Sequence, residues 1–295
     1  LFRSAYADRA RRDALRFEDL LDIDYAISRI KKVLPTVNAE LTAKGGEAVS
    51  EEEIIANVKF WAEKLASRIV EPVSFVNDAI ARGESLLFEG QLGVMKDIDL
   101  GIYPYVTSSN PVAAYAAVSA GFPVNKITNV VGVVKAFTSA VGAGPFPTEM
   151  SDAETEYFRG SGENVDDEFG ARTGRARRLG WLDLPMVKFA ATVNGFTEIA
   201  LCKLDKLDDA TEIKVCIGYK LDGKEINYMP TSRILDKVEP IYTAMPGWLT
   251  ETRKISSYKN LPANAKKYIE LIEKYSGVTV KYIGTGPNRE HLIVK

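Results

Sequence analysis

The sequence predicts an α/β protein with a mostly parallel sheet flanked by helices, a helical amino-terminal subdomain and a small antiparallel hairpin. From about residue 85 onward, short apolar segments alternate with helical patterns, and this alternation is typical of a parallel sheet. Asp222-Gly223 separates two strand-like segments and is a strong hairpin signal. We therefore expect a helical subdomain over residues 1–82 and an α/β body over residues 83–295.

The first 82 residues have a helical pattern. Ser50 is followed three residues later by Glu53, which predicts a capping box with Ser50 as the N-cap and Glu53 reaching back to it. Apolar residues then recur at helical spacing: Ile54, Val58, Ala62, Leu65 and Ile69. This stripe fits packing inside the subdomain and equally fits a subunit contact, which is the role that we predict for residues 1–82.

Composition excludes several classes of function. The 295 residues carry a net charge of −2, so no overall positive field favours nucleic acid or anionic lipid as a partner. No apolar run approaches the ~18 residues that a membrane span needs. Two cysteines are too few for a disulfide framework or a zinc site, and His291 is the single histidine. We predict a cytoplasmic protein without a metal site of its own.

The body contains segments that read as buried strands and segments that read as helices. The strands are residues 85–88, 127–137, 198–203 and 278–283, and the helices are residues 184–193 and 264–275. In an open α/β sheet, ligands bind beyond the carboxyl ends of the strands. The segments that follow the strands are therefore the candidates for a binding site.

The densest of these segments is residues 170–178, which hold four arginines and two glycines. Arginine binds carboxylates and phosphates through two parallel hydrogen bonds, and glycine lets backbone N–H groups approach an anion. The segment predicts an anion site. The alternative is a solvated loop in which Asp166, Asp167 and Glu168 neutralise the arginines.

A second candidate is Lys203-Leu204-Asp205, at the end of a predicted strand. The Lys203 stem can lie along a purine face, and the carboxylate of Asp205 can accept hydrogen bonds from N1–H and the 2-amino group of guanine. Adenine lacks this pair of donors, so the motif would select guanine. The alternative is the polar edge of an ordinary strand, because so short a pattern is common.

Two further segments are rich in turn residues or hydroxyls. Residues 141–149 contain glycines and prolines directly after a strand, which suits close approach of the backbone to a ligand or a simple turn. Residues 103–110 place hydroxyls before a helix, which suits a phosphate site or simple capping. No glycine-rich phosphate loop with a lysine occurs in the sequence.

Taken in order along the chain, these segments resemble the adenylosuccinate synthetase family. The stretches that carry the resemblance are residues 97–99, 103–110, 141–149, 173–183, 203–208, 245–248 and 284–289. The resemblance implies an incomplete body like that of the P-loop NTPases and a GTP-dependent ligase of purine biosynthesis. Such enzymes phosphorylate the 6-oxygen of IMP with GTP and then let the amine of aspartate displace the phosphate, with Mg²⁺ on the transferring phosphates.

The resemblance also implies roles for individual residues. The guanine of GTP would be held by Lys203, Asp205, Gly284, Gly286 and Pro287. The carboxylates of aspartate would be bound by Thr173, Arg175 and Arg177, and Arg177 would also approach the phosphates. IMP would be contacted by Thr107 and Val141, and by Arg12 from the other subunit of a homodimer.

The chain departs from the family pattern at several positions. Leu92 stands where a glutamine that touches IMP is usual, and Ala140 stands where an arginine is common. Arg172 replaces a threonine, Asp167 replaces an asparagine near aspartate, and Leu100 replaces a histidine. These departures leave a related nucleotide or another amino acid open as a substrate.

In the resembling family, the phosphate loop, the catalytic residues and the Mg²⁺ ligand precede the region that this chain matches. We therefore expect no catalytic residue in this chain, Mg²⁺ ligands in a segment upstream, and an inactive chain when it is alone. The alternatives are a non-catalytic regulatory module that binds guanine nucleotides and an inactive fragment of the enzyme.

Overall fold

The computed structural model describes residues 2–164, 166–170 and 174–295. The chain divides into two compact units. The first consists of Leu1–Phe88 and Ser119–Phe122, and the second consists of Glu89–Val118 and Pro123–Lys295.

The first unit is helical. Its helices are α1 (Phe2–Arg11), α2 (Ile23–Ala43), α3 (Glu51–Leu65) and α4 (Pro72–Ala81). Helices α2 and α3 pack together and bury Ala26 and Ala62, while the rest of the predicted apolar stripe is half-buried. The predicted cap forms in part: the Ser50 hydroxyl accepts from the Glu53 N–H at 3.3 Å and donates to the Glu52 carboxylate.

The second unit is built on a mostly parallel sheet flanked by helices, as the sequence predicts. The sheet has the order β1 (Val131–Lys135), β5 (Glu198–Cys202), β9 (Val280–Gly284) and β10 (Leu292–Val294). The first three strands are parallel, and β10 returns antiparallel to β9. Strand β1 forms one edge of this sheet, and its Val133 is 74 % exposed.

The described part of the chain after residue 88 forms four α-helices. They are α5 (Ala114–Ala120), α6 (Asp152–Arg159), α7 (Leu184–Asn194) and α8 (Ala263–Ser276). Helix α7 begins at Asp183, whose carboxylate accepts from the Met186 N–H at 3.0 Å, and ends at Gly195 in the left-handed conformation. Helices α7 and α8 pack together beside the large hydrophobic core.

Two smaller sheets complete the second unit. One pairs β2 (Thr138–Ala140) with β3 (Arg178–Gly180). The other joins β4 (Leu182–Asp183), β6 (Glu212–Leu221), β7 (Lys224–Ile226) and β8 (Glu239–Pro246). The predicted hairpin at Asp222-Gly223 links β6 to β7, but β8 also pairs along most of β6, so the antiparallel part is larger than predicted.

One predicted strand is wrong. Residues 85–88 form no strand in the described part of the chain, and Leu87 is 95 % exposed. An apolar extended segment becomes a strand only when another backbone offers its hydrogen bonds, and that partner is not encoded locally.

A buried polar pair joins α7 to β6. Both carboxylate oxygens of Asp183 lie 2.7 Å from the Tyr219 hydroxyl, which donates to the carboxylate, and both side chains are almost fully buried. Burial raises the pKa of Asp183 to about 6, although the hydrogen bonds from Tyr219 and the Met186 N–H oppose the increase.

This raised pKa predicts a pH dependence of stability. Between pH ~4 and pH ~6 the folded state binds a proton at Asp183 that the unfolded state has released. The free energy of unfolding should therefore fall as the pH rises through this window, by about 3 kcal/mol in total. Asp183→Asn keeps a capping oxygen and removes this slope, which denaturant unfolding between pH 4 and pH 7 will measure. The exposed control Asp209→Asn should retain it, and parallel curves for wild type and Asp183→Asn would contradict the assignment.

Candidate functional site

The carboxyl ends of β5 and β9 bring two predicted guanine segments together. The strands are parallel neighbours, so Lys203 and the segment after Gly284 leave the sheet at the same edge. A Cβ on Gly284 would lie 3.5 Å from the Cα of Cys202, which shows how closely the backbones of β5 and β9 approach each other at this end of the sheet. The predicted residues Lys203, Asp205, Gly284, Gly286 and Pro287 therefore lie along one edge of the main sheet.

The turn after β9 is closed by the only histidine in the sequence. The Nδ1 atom of His291 accepts from the Asn288 N–H at 3.3 Å, and the His291 carbonyl accepts from the backbone N–H of the buried Thr285 at 2.9 Å. A Cβ on Gly286 would lie 2.4 Å from Nδ1, so only glycine fits at that position. His291 thus has a structural role in shaping the predicted base-binding turn.

The segment after β5 has a constrained backbone. Lys203 has a φ of 63°, the left-handed conformation that non-glycine residues seldom adopt, and it starts a short 3-10 turn over Leu204–Leu207. This turn places the Asp205 carboxylate next to Arg253, whose Nε atom is 3.0 Å from Oδ2.

The Glu168 carboxylate lies at the centre of a cluster of cations. Its side chain is fully buried, and it forms ion pairs with Lys135 at 2.9 Å, Arg177 at 3.1 Å and Lys203 at 2.5 Å. The three cations come from the end of β1, the arginine segment and the end of β5. One carboxylate therefore holds three separate segments in one place, and three positive charges against one negative charge leave a local excess of two.

The charges of this cluster perturb one another. Burial by itself would raise the pKa of Glu168, but hydrogen bonds from Lys135 and Lys203 outweigh it and hold the pKa below its ordinary value. Burial lowers the pKa of Lys135, and the hydrogen bond to Glu168 offsets part of that decrease. The cluster is thus an ionised site with a net positive charge, the setting that an anionic ligand requires.

The arginine segment follows Glu168 directly. Gly170 and Arg175 are joined by a backbone hydrogen bond of 2.8 Å, so the segment turns back on itself. The Arg175 side chain is exposed, whereas Arg177 is half-buried, is paired with Glu168 and has an Nε atom that is buried without a hydrogen-bond partner. The predicted site residue Thr173 and the departure at Arg172 lie outside the described residues.

Arg178 organises the neighbouring glycine loop. Its guanidinium forms a bidentate ion pair with Glu149, with both distances 2.5 Å, and donates to the carbonyls of Gly142 at 3.3 Å and Gly144 at 2.9 Å. Val141, a predicted IMP contact, lies at the start of this loop and is 44 % exposed. Arg178 therefore fixes the backbone of the loop through these carbonyls, while Val141 remains exposed.

The segment with Thr107 lies beside the glycine loop. A Cβ on Gly144 would come within 2.8 Å of the Tyr105 ring, which shows direct contact between the two. The Thr107 N–H donates to the Lys96 carbonyl at 2.8 Å, and the Lys96 ammonium donates to the Tyr105 carbonyl at 2.9 Å. Both predicted IMP contacts of this unit are thus in adjacent, tightly bonded loops.

Asp167, one of the departures, has a structural role. Its side chain is almost fully buried, and Oδ2 accepts from the backbone N–H groups of Gly162 at 2.9 Å and Asn164 at 3.1 Å. Oδ1 faces the Lys206 ammonium at 3.4 Å. The carboxylate closes its own turn and meets a lysine, so its contacts here are with the protein.

Sequence reasoning did not single out three residues that hold this site. Lys135 and Arg253 belong to no recognisable motif, and the sequence indicates Glu168 only as a partner of the arginine segment. The acidic run 166–168 directly before four arginines was the available signal. Arg12, by contrast, belongs to the first unit, where its carbonyl accepts from the Arg29 guanidinium at 2.8 Å.

Two kinds of feature were not found in the described part of the chain. No group of three or more histidine, cysteine, aspartate or glutamate side chains is arranged to hold a metal ion. No helix over those residues is long and apolar enough to cross a membrane.

This arrangement defines an α/β protein with a cluster of cations at the carboxyl ends of its parallel strands, which is a candidate ligand site. The sequence model of the family described as adenylosuccinate synthetase matches residues 3–293. The chain belongs to the adenylosuccinate synthetase family, whose members are ligases of purine biosynthesis.

Individual relatives agree with this assignment. The chain is 50 % identical over 291 residues to adenylosuccinate synthetase 1 of Methanosarcina acetivorans, covering 99 % of this chain and 69 % of that protein. It is 42 % identical to the adenylosuccinate synthetase of Thermodesulfovibrio yellowstonii, covering 98 % and 68 %. The fully ligated adenylosuccinate synthetase from Plasmodium falciparum superposes with a TM-score of 0.92 at 34 % identity, covering 99 % and 68 %. The chain spans about two thirds of the length of these relatives.

The Glu168 cluster predicts a large effect on stability. Glu168→Gln leaves the cations of Lys135, Arg177 and Lys203 around a neutral amide, and the loss of one partner from a buried ion cluster costs about 3–5 kcal/mol. Denaturant unfolding at pH 7 will measure this.

The matched control is Glu251→Gln, which removes an exposed partner of Lys254. Such a surface pair contributes ~1 kcal/mol or less. Equal losses in the two variants would show that the buried cluster does not stabilise the fold.

Proposed function

We propose that this chain carries the guanine-binding, aspartate-binding and part of the IMP-binding surfaces of an enzyme that joins aspartate to IMP. In the reaction, the γ-phosphate of GTP is transferred to the 6-oxygen of IMP, giving GDP. The amine of aspartate then attacks carbon 6, phosphate leaves with the oxygen, and the amine gives up a proton. The observation that carries the proposal is the Glu168 carboxylate, which pairs with both Lys203 of the guanine motif and Arg177 of the arginine segment. The turn after β9 leaves the sheet beside Lys203, because β5 and β9 are parallel neighbours.

The guanine base would bind at the edge formed by β5 and β9. The Lys203 stem would lie along the purine, and Asp205 would accept hydrogen bonds from N1–H and the 2-amino group. Gly284, Gly286 and Pro287 would wall the base. The tight turn at Gly286 supports this role, because a glycine backbone lets a flat ring approach closely.

Aspartate and the transferring phosphate would bind at the arginine segment. Thr173, Arg175 and Arg177 would hold the two carboxylates, and Arg177 would also stabilise charge on the phosphate oxygens. The local excess of positive charge around Glu168 supports anion binding next to this segment. The buried Nε atom of Arg177 has a hydrogen to offer to such an anion.

IMP would be contacted by Thr107 and Val141, whose adjacent loops support a shared ligand surface. Mg²⁺ would neutralise the transferring phosphates in such a reaction. The described residues contain no group of three or more acidic, histidine or cysteine side chains arranged to hold Mg²⁺, so none of them is assigned to the metal.

We further propose that residues 1–82 form the contact of a homodimer and that Arg12 reaches the IMP phosphate of the other subunit. The exposed position of Arg12 after α1 is compatible with an intermolecular contact. Sedimentation of the protein with and without IMP measures the assembly.

The activity itself is tested with the protein expressed from its complete gene and with the isolated chain. Formation of adenylosuccinate from IMP, aspartate and GTP supports the ligase. Binding of guanine nucleotides without any product would instead support the regulatory module. We expect the complete protein to be active and the isolated chain to be inactive.

Asp205→Asn should impair the use of GTP specifically. An amide offers one acceptor oxygen in place of two, so a charge-assisted interaction with guanine is lost, which corresponds to a decrease in kcat/KM for GTP of about 10- to 100-fold. The KM for IMP should stay unchanged. The control is Asp209→Asn, an exposed residue four positions on, which should behave as wild type. An unchanged kcat/KM for GTP in Asp205→Asn would refute the base assignment.

Arg175→Leu should affect aspartate and not the fold. Because Arg175 is exposed, its replacement should change the free energy of unfolding by no more than about 0.5 kcal/mol. Kinetic assays should show a higher KM for aspartate and a lower kcat, since the guanidinium would hold the substrate carboxylate in the transition state. Arg233→Leu, also exposed, is the control. A large loss of stability with normal aspartate kinetics would make the segment structural.

A further inference from the structure

We propose that Arg253 is a positioning residue that holds the Asp205 carboxylate in the orientation that reads guanine, and that it thereby sets the selectivity for a purine with a 2-amino group. This inference rests on the proposed function, in which Asp205 accepts from the base. It adds a residue outside the stretches that carry the family resemblance.

Arg253 contacts only one of the two carboxylate oxygens of Asp205. The Nε atom of Arg253 lies 3.0 Å from Oδ2 of Asp205, and Nη2 lies 2.9 Å from the same oxygen. The Asp205 side chain is only 5 % exposed, so bulk water competes little for the contact with Arg253. Both bonds from Arg253 end on Oδ2, and this leaves the lone pairs of Oδ1 unused by the guanidinium.

This geometry indicates that Arg253 orients the Asp205 carboxylate and does not occupy the position of the guanine base. The N1–H and 2-amino groups of guanine form a fork like that of a guanidinium, and a fork that occupied the place of the base would span both carboxylate oxygens. Arg253 instead takes one oxygen from the side. It can therefore stay bound while a ligand approaches Oδ1.

Arg253 is itself held from two directions. Its Nη2 atom also donates to Oδ2 of Asp166 at 2.5 Å, and the Lys206 ammonium lies 3.2 Å from that same oxygen. The guanidinium is thus fixed between two carboxylates, one in the acidic run before the arginine segment and one in the turn after β5.

The backbone that carries Arg253 is also fixed. The fully buried Thr252 donates its N–H to Oδ2 of Asp208 at 2.7 Å and its hydroxyl to Oδ1 at 2.9 Å. The Trp248 indole N–H donates to the same carboxylate at 2.7 Å. Arg253 therefore projects from a rigid point, which is what a positioning residue requires.

Fixing the carboxylate should matter more for GTP than for ITP, which has N1–H but lacks the 2-amino group. Two donors must meet the carboxylate in one orientation, whereas a single donor can follow a carboxylate that rotates. A site that hydrogen-bonds a polar group discriminates against the analogue without that group only while its own polar atoms stay in place. Removing Arg253 should therefore reduce the preference for GTP over ITP.

The test compares Arg253→Met, Arg253→Lys and the neighbouring Lys254→Met in the protein expressed from its complete gene. Lys254 pairs with Glu251 at the surface and is the matched control. We expect Arg253→Met to lower kcat/KM for GTP by about tenfold, the effect of one charge-assisted hydrogen bond, and to lower that for ITP much less. Arg253→Lys should recover part of the selectivity, and Lys254→Met should match wild type.

The ratio of the two kcat/KM values does not depend on the fraction of folded enzyme, so a modest change in stability does not obscure it. Equal losses with GTP and ITP would overturn the inference and make Arg253 a general structural residue. A lower KM for GTP in Arg253→Met would also overturn it, because Arg253 would then compete with the base. If the wild-type protein is an active ligase, either of these outcomes overturns only the inference about Arg253 and leaves the proposed function intact. If the wild-type protein has no ligase activity, the proposed function and the inference about Arg253 are both overturned.

Discussion

The buried carboxylate of Glu168 is the constraint on which the second unit depends. A lone ionised carboxylate is very unfavourable in a protein interior, so it persists only where cations and hydrogen bonds compensate it. Here the compensation comes from Lys135, Arg177 and Lys203, which belong to three different segments. Electrostatics thus requires the end of β1, the arginine segment and the end of β5 to converge, and their convergence shapes the candidate site.

The same cluster resolves an alternative that the sequence left open. The sequence predicts that the arginine segment either binds an anion or is neutralised by the acidic residues before it, and the structure shows the neutralisation at Arg177. Arg177 pairs with Glu168, yet the cluster keeps more positive than negative charge, and the Nε atom of Arg177 is left without a partner. The ion pair between Arg177 and Glu168 is therefore compatible with the proposed anion site, because three cations surround one carboxylate.

The acidic run 166–168 also joins the two halves of the proposed site. Asp166 meets Arg253, which in turn meets Asp205, while Glu168 meets both Arg177 and Lys203. The surface proposed to read the nucleotide base and the segment proposed to bind the amino acid therefore share one support. A displacement of this run would therefore move side chains of both surfaces.

Local signals in the sequence determined helix α7, bounded by the Asp183 cap and Gly195, and the hairpin at Asp222-Gly223, because caps and turns depend on a few adjacent residues. The sequence also indicated the candidate ligand segments through their residue types. Tertiary structure alone decided that residues 85–88 do not pair and that Glu168 is buried at the centre of a cluster. It also decided that Arg253 reaches Asp205. These outcomes depend on which segments, distant in the sequence, come together in the fold. A local sequence pattern does not specify those partners, so it predicts neither the pairing of a strand nor the burial of a charged side chain.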